Sequence, residues 1–382
     1  MHLEQFRSLF PVIKNYIFFD HAAVGPLSLP AAQIVKEFLA DYLENGSVNS
    51  SRWEAEAEEA RSRFAQLINA EPEEVAFVKN TSEGLSHVAN GLDFRPGDNV
   101  VVPAIEFPAN IYPWLNLKRY GVDVRFVQPE KGRILPVAVE RAMDERTRLL
   151  SISSVQFANG FRAELKELGR LCLDRGIYFC VDAIQSLGAL SMDVKRFNID
   201  FLAADGHKWL LSPEGAGGFF CSKRRWASVH PAKVGWKSVV GAADYSRLDF
   251  TLRPDAQKFE EGSLNLMTIA ALGASLKLLL EVGIEAIEEQ VLSLTDHIIE
   301  GLKRNGYKVL SPLSPSERSG IVSFLGREKP ESILKRLRER QVIVSIRGEA
   351  IRVSPHFYNS QEEVEKFLAI LGKGNKLTRA RC

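Results

Sequence analysis

Cysteine is scarce in this chain of 382 residues: the four thiols, Cys172, Cys180, Cys221 and Cys382, show no metal-ligand spacing and no disulfide framework. Net charge is nearly absent too, with 49 lysines and arginines against 48 aspartates and glutamates. Such a balance leaves no electrostatic footprint for nucleic acid or an anionic membrane surface. No apolar run approaches the ~20 residues that span a bilayer. The N-terminus, with Glu4 early and its hydrophobicity broken, does not read as a secretory signal. Neither a Walker pattern nor GxGxxG is present, so nucleotide and dinucleotide sites lack support. The expectation is a soluble, cytoplasmic protein with reduced thiols and neither nucleic-acid nor membrane partners.

What is present is an ordinary globular composition, 45% apolar and 25% charged. The length exceeds one ordinary core, which predicts two domains. After a strand-like run at 16–19 and amphipathic helices near 31–43 and 52–68, short apolar runs alternate with helical stretches. The runs are 75–78, 99–102, 122–127, 149–153, 177–181, 201–204 and 217–221. That alternation predicts an α/β domain with a mainly parallel, seven-stranded sheet between helices. Past Gly262 the pattern changes to a long helical region broken near Gly283, followed by short strands and helices. The boundaries read from this are a large domain at 16–262, a smaller α+β C-terminal domain at 263–372 joined by 1–15, and a flexible tail at 373–382.

Two strand ends carry the chemistry. Gly206-His207-Lys208-Trp209 follows the apolar run ending at Ala204, and Asp182 directly follows the run 177–181. Open α/β sheets collect ligands at such strand ends. A lysine and a carboxylate at neighbouring ends meet the needs of pyridoxal 5'-phosphate: the lysine forms the Schiff base, and the aspartate keeps the pyridine nitrogen protonated. Each also has a plain structural reading, a solvated loop lysine and a helix N-cap.

Further positions extend the set. Thr81 and Ser82 stand between a strand and a helix start, where they can cap the helix and free N–H groups can bind phosphate. Phe107, at another strand end, is either a core ring or one that stacks on a flat cofactor. Gln185 can bond the cofactor's phenolic oxygen or be a polar loop residue. His207 can reach the phosphate or the Schiff base, or make an ordinary hydrogen bond. Arg352 lies within the apolar strand 351–354 and needs either a substrate carboxylate or an internal ion pair. Arg347, just before the Gly348 turn, is a weaker candidate for the same carboxylate.

Taken in this order, these stretches resemble the class V aminotransferase family, which includes the cysteine desulfurases, over nearly the whole chain. The resemblance rests on Phe19-Asp20-His21-Ala22-Ala23, Asn80-Thr81-Ser82-Glu83-Gly84, the segment 106–114, Val181-Asp182-Ala183-Ile184-Gln185-Ser186, Gly206-His207-Lys208-Trp209, Glu261-Gly262-Ser263 and the segment 352–359. It implies the fold type I architecture of pyridoxal-phosphate enzymes and a homodimer with shared active sites. It implies Lys208 as the cofactor lysine, Asp182 on the ring nitrogen, and Thr81, Ser82 and His207 on the phosphate, with Ser263 contributed by the partner subunit. It places Phe107 over the ring, Gln185 at the phenolic oxygen and Arg352 on the substrate carboxylate.

Departures from the family narrow the chemistry. The stretch 344–350 has no cysteine where desulfurases carry a nucleophilic thiol, and Phe107 replaces a histidine. Phe157 stands where many desulfurases have an asparagine, which Asn159 can replace. Asp205 lies where relatives place a small hydroxyl residue, and its side chain is expected to turn away or bond a backbone N–H. Transamination of a small amino acid is the favoured activity. Alternatives are a cysteine C–S lyase, an epimerase, or a non-catalytic ligand-binding protein of the same fold.

Overall fold

In a computed structural model, described over residues 3–379, a sheet of mostly buried strands organises the fold. The strands are β1 (Ile17–Phe18), β2 (Val75–Val78), β3 (Asn99–Pro103), β4 (Asp123–Val127), β5 (Thr147–Ser153), β6 (Tyr178–Asp182) and β7 (Phe201–Asp205). They continue as β8 (Gly217–Cys221), β9 (Lys308–Val309), β10 (Val322–Leu325), β11 (Val342–Ile343), β12 (Ser345–Arg347) and β13 (Ala350–Val353). Seven of them form one sheet in the order β2-β8-β7-β6-β5-β3-β4. Its pairings are parallel except those made by β8.

Alternate residues of each strand feed two separate cores. Val75, Phe77, Val101, Leu150, Ile152, Phe179, Val181 and Leu202 face one, and Ala76, Val78, Val100, Val102, Leu149, Cys180, Phe201 and Ala203 face the other. Both faces are covered by helices, so the strands are buried on either side, as parallel sheets require. The helix Thr81–Gly91 lies so close to β7 that a Cβ on Gly84 would stand 2.7 Å from Ala203 Cβ. This close approach sets the helix start beside the ends of β7 and β6.

A second, four-stranded sheet has the order β12-β13-β10-β9, and a third core, with Leu294, Phe324, Ile351 and Phe367, packs around it. The packing does not divide at the boundary read from sequence. β1, assigned to the large domain, pairs in parallel with β11 beside the small sheet. The helix Leu266–Val282, assigned to the second domain, packs on the helices Leu29–Asn45 and Ser50–Leu67 and buries Ile269, Leu272 and Leu276 in the large core. Phe10, read with the C-terminal part, also belongs to that core and stacks on Tyr358 at 4.0 Å. The last helix runs Gln361–Arg379, past Gly372 where the sequence suggested a tail; residues 380–382 lie outside the described residues. Among the described residues no single helix is long and apolar enough to cross a membrane.

Candidate active site

The C-terminal ends of β2, β3, β6 and β7 open on one cavity of about 300 Å³. Its lining includes Thr81, Ser82, Phe107, Asp182, Gln185, His207, Lys208, Arg347 and Arg352. Two residues singled out from sequence are elsewhere: Asn159, and Ser263, which is exposed and does not line the cavity of its own chain.

Asp182 is the last residue of β6 and is paired in register with Ala203 of β7, whose chain reaches Lys208 five residues later. The Asp182 carboxylate is buried and accepts the Ile184 N–H at 3.0 Å. Burial pushes its pKa up to about 6, against that hydrogen bond and the nearby Lys208 charge. Burial likewise lowers Lys208 to about 8, opposed first by Asp182. The lysine amine lies 5.7 Å from the Phe107 ring centroid. Phe107 leaves 46% of its surface exposed and touches Phe157 edge-on at 5.3 Å between centroids, so an aromatic wall faces the lysine.

At the phosphate end the capping expected of Thr81 and Ser82 falls to Asn80. Its Oδ1 accepts the Glu83 N–H at 2.9 Å, which leaves the N–H groups of Thr81 and Ser82 at the start of the helix for an anion. Thr81 turns its hydroxyl back to accept the Asp205 N–H at 3.1 Å. Asp205 lines the cavity, and its Oδ1 is buried without the backbone N–H partner that was one of the two expectations, among the described residues. Its Oδ2 stands 3.0 Å from His207 Nδ1, an ion-pair distance without hydrogen-bond alignment.

Gln185 reaches the cavity with both ends of its amide engaged. Nε2 donates to the Ala22 carbonyl at 3.0 Å and Oε1 accepts Trp209 Nε1–H at 3.1 Å, so one N–H remains for a phenolic oxygen. Asn159 does not replace the missing asparagine: it donates to the Gly132 carbonyl and accepts the Phe161 N–H, outside the cavity lining.

Arg352 realises the internal ion pair, though incompletely. Its Nη2 is 3.4 Å from Asp20 Oδ1 and Nη1 donates to the Phe157 carbonyl at 3.0 Å, while Nε has no partner among the described residues. Burial first, then the charge of Arg347, lower its pKa to about 10. Asp20, which also accepts the Ser345 hydroxyl at 2.7 Å, is the functional neighbour that sequence reasoning passed over. Its position at the end of a strand was the available signal. Glu106 was passed over as well. It accepts the Ser153 N–H and Gln156 Nε2–H, each at 2.7 Å, and burial raises its pKa to about 7, close to Asp182.

These residues fit pyridoxal phosphate by their chemistry: an unaligned His207 beside free helix N–H groups for the phosphate, a buried carboxylate for a ring N–H, and an amine between them. Comparison with known proteins agrees. A family model described as Aminotransferase class-V matches residues 17–367. A probable cysteine desulfurase of Methanothermobacter thermautotrophicus is 33% identical, with 96% of each chain covered. The isopenicillin N epimerase of Streptomyces clavuligerus is 28% identical over 81% of this chain and 82% of that protein. The apo cysteine desulfurase of Thermococcus onnurineus NA1 superposes with a TM-score of 0.90 at 27% identity, covering 98% of each chain. The architecture is the fold type I arrangement that the resemblance implies.

Proposed function

Because the chain belongs to the class V aminotransferase family over residues 17–367, we propose that it is a pyridoxal-phosphate enzyme that removes the Cα proton of a small amino acid and transfers the amino group. The observation that carries this reading is the meeting of Lys208 and the buried Asp182 in one cavity, at adjacent strand ends.

Bound pyridoxal phosphate supplies the electron sink for the Cα–H bond. Asp182 accepts the ring N–H, and that positive neighbour keeps its carboxylate ionised despite burial. The N–H groups of Thr81 and Ser82 hold the phosphate with the helix dipole behind them, and His207 adds a donor. Phe107 and Phe157 exclude water along one wall. Arg352 takes the substrate carboxylate with donors that Asp20 leaves free. Lys208 Nζ, brought near neutrality by burial, takes the proton from Cα.

Lys208 is the one amine lining the cavity among the described residues, and a single proton carrier suffices for amino transfer. Inversion at Cα calls for a carrier on each face, and the aromatic wall offers none. The exposed Ser263 fits a homodimer in which the partner subunit's Ser263 completes the phosphate site.

A second reading is a cysteine C–S lyase, favoured by the 33% identical relative that is called a probable cysteine desulfurase. Sulfur would then leave directly. Cys172, Cys180 and Cys221 are buried away from the cavity and their thiols are pushed up by burial; Cys382 lies outside the described residues.

Incubation of the loaded protein with an amino-acid panel in deuterated water separates the outcomes. Pyridoxamine phosphate accumulates in transamination, Cα deuterium appears in recovered amino acid in epimerisation, and pyruvate with sulfide appears in C–S lysis. A protein that binds no pyridoxal phosphate and gives no borohydride-fixed adduct at Lys208 is not such an enzyme.

A further inference from the structure

A half-turn of the Gln185 amide would exchange its donor end for its acceptor end. Two partners of opposite kind forbid that turn. Trp209 Nε1–H, which can only donate, meets Oε1 at 3.1 Å, and the Ala22 carbonyl, which can only accept, meets Nε2 at 3.0 Å. Gln185 and Trp209 are both buried, so water does not stand in for either partner. Trp209 is itself held from several sides. His356 accepts the Phe357 N–H on Nδ1 at 2.8 Å, which in the neutral ring leaves Nε2–H to donate to the Trp209 carbonyl at 3.0 Å. The His21 ring stacks on the indole at 6.0 Å between centroids. Glycine at 320 makes room for the far edge of the indole, since a Cβ there would lie 2.5 Å from its Cη2. The reaction as derived so far makes no use of this indole, although it belongs to the residue directly after Lys208.

Resting on the reading that the remaining Gln185 N–H meets the phenolic oxygen of pyridoxal phosphate, we propose that Trp209 is a positioning residue for that contact. Its indole N–H holds the amide so that a donor, not an acceptor, faces the oxygen. A donor there stabilises negative charge on the oxygen, and so lets the Schiff-base nitrogen of Lys208 lose its proton at lower pH. An amide turned the other way sets a second acceptor against the oxygen and works in the opposite direction. Trp209 does not line the cavity, so its indole reaches the cofactor through Gln185.

The test reads the pH midpoint of the cofactor absorbance change in holoenzyme of the parent chain, Trp209→Phe, Gln185→Leu and the double variant. Asp182, Asp205, His207, Lys208, Arg347 and Arg352, the titratable groups lining the cavity, are the same in all four. Gln185→Leu should raise the midpoint by about one pH unit, the size of one hydrogen bond to a charged group. Trp209→Phe should raise it by about half as much, because the Ala22 carbonyl still favours the donor orientation. The double variant should match Gln185→Leu alone, the non-additivity of residues that act through one contact. Trp209→Met, which also lacks the donor and refills the space with a flexible side chain, is measured alongside so that the test survives a Trp209→Phe chain that does not fold. An unmoved midpoint in the Trp209 variants beside a raised one in Gln185→Leu overturns the positioning role and leaves the phenolic contact standing. Additive shifts overturn it as well, since Trp209 would then act through the Lys208 backbone and not through the amide. An unmoved midpoint in Gln185→Leu overturns the contact on which the proposal rests.

Discussion

Asp20 Oδ1 and Arg352 Nη2 lie 3.4 Å apart, joining the chain just past β1 to β13, whose Arg352 lines the cavity. The pair is loose enough to yield. Burial raises the Asp20 pKa while Ser345, Arg352 and Arg347 pull it down, so the carboxylate depends on its neighbours to stay charged. Arg352→Ala should therefore do two separable things. It should raise KM for the amino acid about 100-fold, as loss of a buried charge-assisted contact does, with cofactor loading near normal. It should also lower stability by about 1–3 kcal/mol by stranding Asp20. Adding Asp20→Asn should restore the denaturation midpoint and leave KM high, which steady-state kinetics and urea titration of both variants will check.

Lys208→Ala should keep the fold, because the side chain lines a cavity and makes no hydrogen bond to the core among the described residues. Far-UV circular dichroism should be unchanged and the borohydride-fixed adduct lost. Exchange of the Cα proton with solvent, read by NMR on a good substrate, should slow by about 10²–10⁴-fold, the usual contribution of a general base.

Capture of the cofactor aldehyde needs the neutral Lys208 amine. With its pKa lowered to about 8 by burial, the rate of cofactor loading should rise with pH below 8 and level off above it. The Asp182 charge works the other way and holds the lysine pKa up. Asp182→Asn should therefore move the inflection to lower pH. Stopped-flow absorbance between pH 6 and 10 measures both, and an unmoved inflection would break the assigned coupling.

The seven sheet strands were legible to within two residues because all but the edge strand β4 are short runs buried on both faces, the pattern that parallel sheets impose. Lys208, Asp182, Thr81, Ser82, Phe107 and Gln185 were legible because strand ends converge on one edge whatever the loops do. Partnerships were not. Asp20 and Arg352 are 332 residues apart in the chain, and only the pairing of β1 with β11, with the Asp20–Ser354 bridge beyond it, brings them together. The Asp205–His207 contact turns on side-chain rotamers, which carry no periodic signal. Asn80, not Thr81 or Ser82, caps the helix because its extended backbone aims Oδ1 at the Glu83 N–H. All three residue types suit that role, and composition does not choose among them.

The edge strand β2 feeds the phosphate turn, and a buried ion pair holds it in place. Glu260 Oε1 accepts the Phe77 N–H at 2.8 Å and meets Arg61 Nη1 at 2.6 Å, while Arg61 also donates to the Val75 carbonyl. Backbone groups of β2 are thereby satisfied on the side away from β8. Glu260→Ala leaves the buried Arg61 with the exposed Glu58 as its remaining carboxylate and leaves the Phe77 N–H unpaired, and should cost about 1–3 kcal/mol. The loss should reach the site, since Asn80, Thr81 and Ser82 follow β2 directly. Cofactor affinity should fall in Glu260→Ala even under conditions where circular dichroism shows the protein folded. Replacing both partners by apolar residues, Arg61→Met with Glu260→Leu, removes the half-compensated buried charge. It should recover most of the stability while the Phe77 N–H stays unsatisfied, so cofactor affinity should recover less than the denaturation midpoint does. Equal recovery of the two would mean that the pair supports the core and does not position the turn.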